Sequence, residues 1–282
     1  FTKFNFTHIS SMQKKSFAGE IVQIALKFAP LGAALVLWDL DGEGNKETSR
    51  LAQKTGATQV FVYHCDCSNR EEVCEQADKV RKEVGDVTIL INNAGILLGE
   101  KFCDVSDADF EKTLRVNFFS QTCKAFLPAM MTCNHGHLVS TASAAGLLEI
   151  TDYYSASKCA VIGMMGAIDS ELYHAGRHGV KATVICPYFI NTKLAKGFQT
   201  ESPRILPVYD AECAASKIMD AIQKEKFYLI MPLTSYFFLR KNALLFMQKE
   251  KKKKKKNKTT HKAFDIFSFQ GQNSTAVRTK PP

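Results

Sequence analysis

At 282 residues, with 45% hydrophobic and 10% aromatic side chains, the chain can bury a full core, which excludes a disordered or fibrous polypeptide and fits one globular domain with appendages. The net charge of +9 points to nucleic acid or membrane only until it is located: residues 249–282 hold 11 Lys and Arg against Glu250 and Asp265, leaving 26 against 26 in residues 1–248. The body is electroneutral, so no nucleic-acid partner is expected. Nine cysteines, an odd count without a Cys-x-x-Cys pair, exclude a zinc or dithiol redox signature and make a poor disulfide framework.

Residues 1–16 read as an N-terminal extension opening on Phe1 rather than methionine, which suggests an incomplete start. In Ala18–Phe28, Ile21, Ile24, Ala25 and Phe28 form a helical stripe. From residue 33 onward, short β-branched runs alternate with amphipathic stretches, the pattern of a parallel sheet covered by helices on both faces. The expected strands are Ala34–Trp38, Gln59–Tyr63, Val87–Ile91, His137–Thr141, Lys181–Cys186 and Phe227–Ile230. Expected helices include Asn69–Val84 and one long stretch, Asp107–Met131, starting from a Ser106/Asp107 cap. The domain closes at residue 230. Residues 231–248 read as an apolar segment too short and too interrupted by Pro232 and Arg240 to span a bilayer. They fit an interfacial segment or a buried docking element equally well. Residues 249–282, with six lysines at Lys251–Lys256, read as a disordered basic tail.

In such sheets ligands sit beyond the carboxyl ends of the strands, and the notable residues fall there: Asp39, Asp66, Asn92-Asn-Ala-Gly95, Ser140–Ser143 and Pro187. Downstream, Tyr154-Ser-Ala-Ser-Lys158 puts a phenol and an amine at i and i+4 on one helical face. A phenol is a poor base near neutral pH, and a neighbouring ammonium favours its ionised form. Cys65 and Cys67 could mimic a metal pair but lack further ligands nearby. His135 and His137 precede their strand, away from this edge, and read as structural.

Together these motifs resemble the short-chain dehydrogenase/reductase superfamily, over about residues 17–238. Gly136-His-Leu-Val-Ser-Thr-Ala-Ser-Ala-Ala-Gly146 and Ile185-Cys-Pro-Tyr-Phe-Ile190 resemble its epidermal retinol and 17-beta-hydroxysteroid dehydrogenase branch. The resemblance implies a Rossmann-like, doubly wound α/β domain over residues 17–230, working as an NAD-dependent oxidoreductase on a lipid-like alcohol or ketone. It implies Tyr154 as general acid/base, Lys158 as its activator and a ribose ligand, Ser143 on the substrate oxygen and Asn117 holding a proton-relay water by distorting its helix. Asn92, Ala94 and Gly95 would line the adenosine ribose, Asp66 would meet the adenine, and Pro187 and Thr192 would flank the nicotinamide. Asp39 would accept from the 2'-hydroxyl and disfavour a 2'-phosphate. No metal is implied. The branch further implies a homodimer and peripheral, cytosol-facing attachment to the endoplasmic reticulum membrane or a lipid droplet.

Two departures stand out. The family's first strand runs into a Thr-Gly-x-x-x-Gly-x-Gly turn; here Ala18-Gly-Glu-Ile-Val22 resembles the strand's start and Gln23–Ala29 the following helix's end, with the turn missing. The expectation is a damaged first β-α unit, a sheet with a central gap and weak cofactor binding, so a catalytically dead splice, gene-model or pseudogene product is the alternative. Second, Ser143 stands 11 positions before Tyr154, about two fewer than the family has. Thr141 lies at the usual separation but is expected on the strand, with its hydroxyl poorly aimed.

Overall fold

The computed structural model describes residues 6–11, 18–97, 103–119, 122–148, 152–192, 200 and 203–237. In chain order its elements are β1 (Phe6–Ser11), α1 (Ala18–Phe28), β2 (Ala34–Asp39), α2 (Gly42–Thr55), β3 (Gln59–His64), α3 (Arg70–Glu83) and β4 (Ile89–Asn92). There follow α4 (Asp107–Leu114), a π-helical stretch (Arg115–Phe119), α5 (Cys123–Cys133), β5 (Gly136–Thr141), α6 (Ala145–Leu148) and α7 (Asp152–His174). The chain continues through β6 (Val180–Pro187), β7 (Phe189–Ile190), β8 (Val208–Tyr209), α8 (Ala211–Gln223) and β9 (Tyr228–Met231). The six expected strands all form, within a residue or two of their expected ends. The basic tail expected over residues 249–282 lies outside the described residues.

Seven parallel strands make one sheet in the order β3-β2-β1-β4-β5-β6-β9, and β7 pairs with β8 apart from it. The order reverses between β1 and β4, the switch point of a doubly wound sheet. Alternation along β2 shows why both faces are covered: Val36 and Trp38 join the core under α3, α5 and α7, while Leu35 and Leu37 join the core under α1 and α8. The expected stripe of α1, Ile21, Ile24, Ala25 and Phe28, is buried in that second core.

The expected central gap is corrected here. Ala18–Val22 belongs to a helix, and Phe6–Ser11, read above as part of an extension, supplies the central strand. It pairs with β2 from Phe6↔Ala34 to Ser11↔Asp39 and with β4 from Thr7↔Ile89 to Ser10↔Asn92. Backbone groups on the inner edges of β2 and β4 therefore find partners, as burial demands.

Helix boundaries follow their caps. Asp41 accepts from the Gly44 amide at the start of α2, Asn69 from the amides of Glu71 and Glu72 at α3, and Ser106 from Asp109 at α4. The single helix expected over Asp107–Met131 is instead two helices flanking the π-helical stretch.

Candidate active site

Because the strands run parallel, their carboxyl ends share one edge, and the residues singled out from the sequence gather along it. Asp39 closes β2, Asn92 closes β4, Thr141 closes β5 with Ser143 two residues on, and Pro187 closes β6. Asp66 follows β3 by two residues. The first turns of α7 bring Tyr154 and Lys158 to this edge on one helical face.

Lys158 is fully buried, and Tyr154 is 6% exposed. A buried ammonium needs a polar partner: Lys158 Nζ donates to the Thr141 carbonyl at 2.9 Å and lies 5.8 Å from the centroid of the Tyr154 ring. Ser143 Oγ accepts from the Ala145 amide at 3.1 Å and reaches the Pro187 carbonyl at 3.4 Å. Ser143 thus sits between the ends of β5 and β6. The contracted stretch before Tyr154 falls partly on residues 149–151, outside the described residues. Its neighbour α6 packs so tightly on α7 that a Cβ at Gly146 would stand 2.7 Å from the Lys158 carbonyl carbon.

Asn117 is central to the π-helical stretch. Its Oδ1 accepts from the Ile96 amide at 2.8 Å, and its Nδ2 donates to the Ile96 carbonyl and to Ser157 Oγ, both at 3.0 Å. Ser157 Oγ donates in turn to the Tyr154 carbonyl at 2.7 Å. The widened helix turn and the loop after β4 are thereby tied to the turn carrying Tyr154. Ser157 was not singled out from the sequence, although its place three residues after Tyr154 was the available signal.

The two asparagines of Asn92-Asn93 divide their work. Asn92 Oδ1 accepts from Thr122 Oγ1 at 2.7 Å, and its Nδ2 donates to Cys123 Sγ at 3.4 Å. Its side chain is committed to the start of α5, so what Asn92 offers a ligand is backbone. Asn93, noted in the sequence as part of that motif but given no role of its own, accepts at Oδ1 from Thr141 Oγ1 at 2.7 Å, while its buried Nδ2 makes no hydrogen bond among the described residues. Ala94 and Gly95 are buried beside it.

Asp39 Oδ1 accepts from the Asp41 amide at 2.9 Å, and Asp41, not Asp39, caps α2. Asp66 Oδ1 holds Ser68 through its amide and hydroxyl. Thr192 is buried just beyond β7. Three buried thiols, Cys65, Cys123 and Cys186, are held in their protonated form. Burial pushes Cys186 up to about 12 against the opposing pull of Lys158, and Cys123 up to about 11. Cys65 is pushed up first by its hydrogen bond with the Cys67 thiol and then by burial. Among the described residues no cluster of three or more potential metal ligands forms.

A family model described as short chain dehydrogenase matches residues 19–203. The chain belongs to the short-chain dehydrogenase family of oxidoreductases. Within that family, epidermal retinol dehydrogenase 2 of Mus musculus is 47% identical over 253 residues, covering 84% of this chain and 82% of its own. Estradiol 17-beta-dehydrogenase 11 of Mus musculus is 41% identical over 235 residues, 78% of each chain. A crystal structure of a short chain dehydrogenase/reductase from Burkholderia phymatum in complex with NAD superposes with a TM-score of 0.76 at 27% identity, covering 88% of this chain and 97% of that one.

Proposed function

We propose that this short-chain dehydrogenase interconverts a lipid-like alcohol, of retinol or steroid type, and its carbonyl with NAD. The observation that carries the reading is the fully buried Lys158 amine, 5.8 Å from the Tyr154 ring centroid at the sheet's carboxyl edge. In this reading Tyr154 gives a proton to the carbonyl oxygen or takes one from the alcohol, and Lys158 favours the ionised phenol. Ser143 hydrogen-bonds the same oxygen, and Asn117 holds the helix turn through which protons are exchanged with solvent. When bound, the nicotinamide supplies the hydride exchange. The residues present fit it along the stretch Asn92–Gly95, where the buried Asn93 Nδ2 is a further donor. Asp39, spared from capping α2, supports NAD over NADP by repelling a 2'-phosphate. The relatives named for retinol and estradiol dehydrogenation support the substrate class.

One observation favours a second reading, a catalytically dead relative: Met12–Phe17, which joins β1 to α1, contains no glycine. Losing two or three charge-assisted bonds to the pyrophosphate would remove about 3 to 9 kcal/mol of binding, weakening the site by about 10²- to 10⁶-fold. Trp38 is the chain's sole tryptophan, buried directly before Asp39, so its fluorescence reports cofactor binding. Titration with NAD and NADP should show saturable, NAD-selective quenching, and Tyr154→Phe should lower turnover of retinol by about 10²–10⁴-fold without changing that quenching. If only a variant with a glycine turn built into residues 12–17 saturates, the second reading replaces the first.

The reading includes peripheral attachment to the endoplasmic reticulum membrane or a lipid droplet, facing the cytosol. No helix among the described residues is long and apolar enough to cross a bilayer. Leu233 and Phe237, one helical turn apart just after β9, are 73% and 74% exposed, and the sequence then carries Arg240, Lys241 and the lysine run. Exposed apolar side chains beside a basic stretch suit an anionic bilayer surface. The chain should float with phosphatidylserine vesicles and be released by Leu233→Ser with Phe237→Ser. Equal flotation of that double variant would remove this surface from the proposal.

A further inference from the structure

Thr141 holds two bonds that leave in different directions from one residue. Its carbonyl accepts from Lys158 Nζ at 2.9 Å, and its hydroxyl donates to Asn93 Oδ1 at 2.7 Å. We propose that Thr141 is a positioning residue that sets where the Lys158 amine stands relative to the Tyr154 phenol. This rests on the reading of Tyr154 and Lys158 as the proton-transfer pair.

The reason lies in how β5 ends. On its β6 side the ladder runs through Thr141↔Ile185, and the Ala142 amide donates to the Ile185 carbonyl at 2.8 Å. On its β4 side the ladder stops one residue earlier, at Asn92↔Ser140. Thr141 and Asn93 are the next residues on the two strands, and their side-chain bond continues the junction after the backbone pairing has ended. Without it, the strand end carrying the lysine's acceptor would be held on one side only. A threonine 2% exposed at this place needs a partner for its hydroxyl, and the partner it takes is the residue that fixes the carbonyl.

What the lysine does to the phenol depends on that carbonyl. Lys158 is too deeply buried to be held by water at the surface, and the influence of its charge on Tyr154 falls with separation. The titratable group facing it from β6 is Cys186, whose thiol stays protonated and supplies no counter-charge. A shift of the Thr141 carbonyl, which accepts from the amine at 2.9 Å, would therefore move the amine relative to the phenol. Thr141→Val removes the hydroxyl at nearly constant shape and keeps the carbonyl. Thr141→Ser keeps both groups.

The test reads Tyr154 itself, without cofactor. Phenolate absorbance is followed as pH rises in the full chain, and the Tyr154→Phe curve is subtracted to leave one tyrosine. Lys158→Met should raise the pH at which Tyr154 ionises by about 1 to 3 units, the range expected for losing a neighbouring opposite charge. Thr141→Val should raise it by about half a unit or more on the same argument, and Thr141→Ser should restore the parent curve. If Lys158→Met shifts Tyr154 and Thr141→Val does not, Thr141 is a strand-end filler and this inference falls alone. If Lys158→Met leaves Tyr154 unmoved, the reading of the pair falls instead, and this inference with it. Should Thr141→Val fail to fold, Thr141→Ala removes the same bond with less bulk, and an unmoved curve there overturns the inference equally.

Discussion

At Gly146 the short helix α6 lies against the backbone of α7, and a Cβ there would stand 2.7 Å from the Lys158 carbonyl carbon and 2.8 Å from the Cys159 amide nitrogen. Backbone cannot swing aside as a flexible side chain can, so Gly146→Ala must lift α6 from α7, costing about 1 to 3 kcal/mol. Gly163 lies on an exposed face of the same helix with nothing within 4 Å of an added Cβ. There the same substitution should stabilise by about 0.5 to 1 kcal/mol through helix propensity. Urea midpoints of the two variants are expected to move in opposite directions, and a Gly146→Ala midpoint at or above the parent's would show that α6 does not bear on α7. The site was legible in the sequence where its geometry is local. Tyr154 and Lys158 share a face because i and i+4 do so in any helix. It was less legible at the strand ends, where the pleat decides which of two neighbours faces which way: Asn92 turned to Thr122, and Asn93 met Thr141. Spacing favoured Thr141, and its expected place on the strand made its hydroxyl read as poorly aimed. Its bonding shows a second use for that hydroxyl, which depends on a strand some 50 residues earlier.

At the scale of elements, β1 illustrates what the chain around a segment can impose on it. Phe6-Thr-His-Ile-Ser-Ser11 lacks the near-continuous apolar run typical of strands buried on both faces, and its sequence did not announce a strand. Yet β2 and β4 each offer it a row of backbone donors and acceptors, and in β2 the residues from Leu35 to Trp38 are at most 3% exposed. Leaving those rows unpaired in the interior would cost far more than placing a few polar side chains in the sheet. The helix α1 was legible for the opposite reason, because its stripe repeats with the helical period and needs no distant partner. The stretch from Asp107 to Met131 lies between these cases. Its amphipathic pattern was readable, but the interruption comes from Asn117 bonding back to Ile96, 21 residues away. The extra width of a π turn lets Asn117 make that bond while Ser157 reaches it from α7. Elements set by local periodicity could thus be read from the sequence, whereas β1, set by remote partners, could not, and the distortion at Asn117 was expected only through the family resemblance.

For the molecule as a whole, the dependence of stability on pH follows from a residue at the other end of the sheet from the strands' carboxyl edge. His137, near the start of β5, is buried, and its Nε2 lies 2.7 Å from Thr183 Oγ1 in β6. That hydroxyl donates to the Lys226 carbonyl at 2.8 Å, so it receives from the imidazole, and the neutral ring with its proton on Nε2 joins β5, β6 and the entry to β9. Burial is the main cause pushing its pKa from 6.5 down to about 4; Lys181 pushes the same way, and Glu225 opposes. A folded pKa below the unfolded one means that the unfolded chain binds the proton more readily. The contribution is therefore complete above about pH 6.5 and is lost as pH falls through about 4. At about 1.4 kcal/mol per unit, the loss approaches 3 kcal/mol. His137→Gln can offer an amide N–H to Thr183 but does not titrate. Urea denaturation of both proteins from neutral pH to about pH 4 should find the parent losing about 2 to 3 kcal/mol more than the variant. Carboxylates common to both cancel in that difference. Parallel stability curves would mean that the imidazole is already protonated in the folded sheet, and that the bond to Thr183 does not depend on its neutral form.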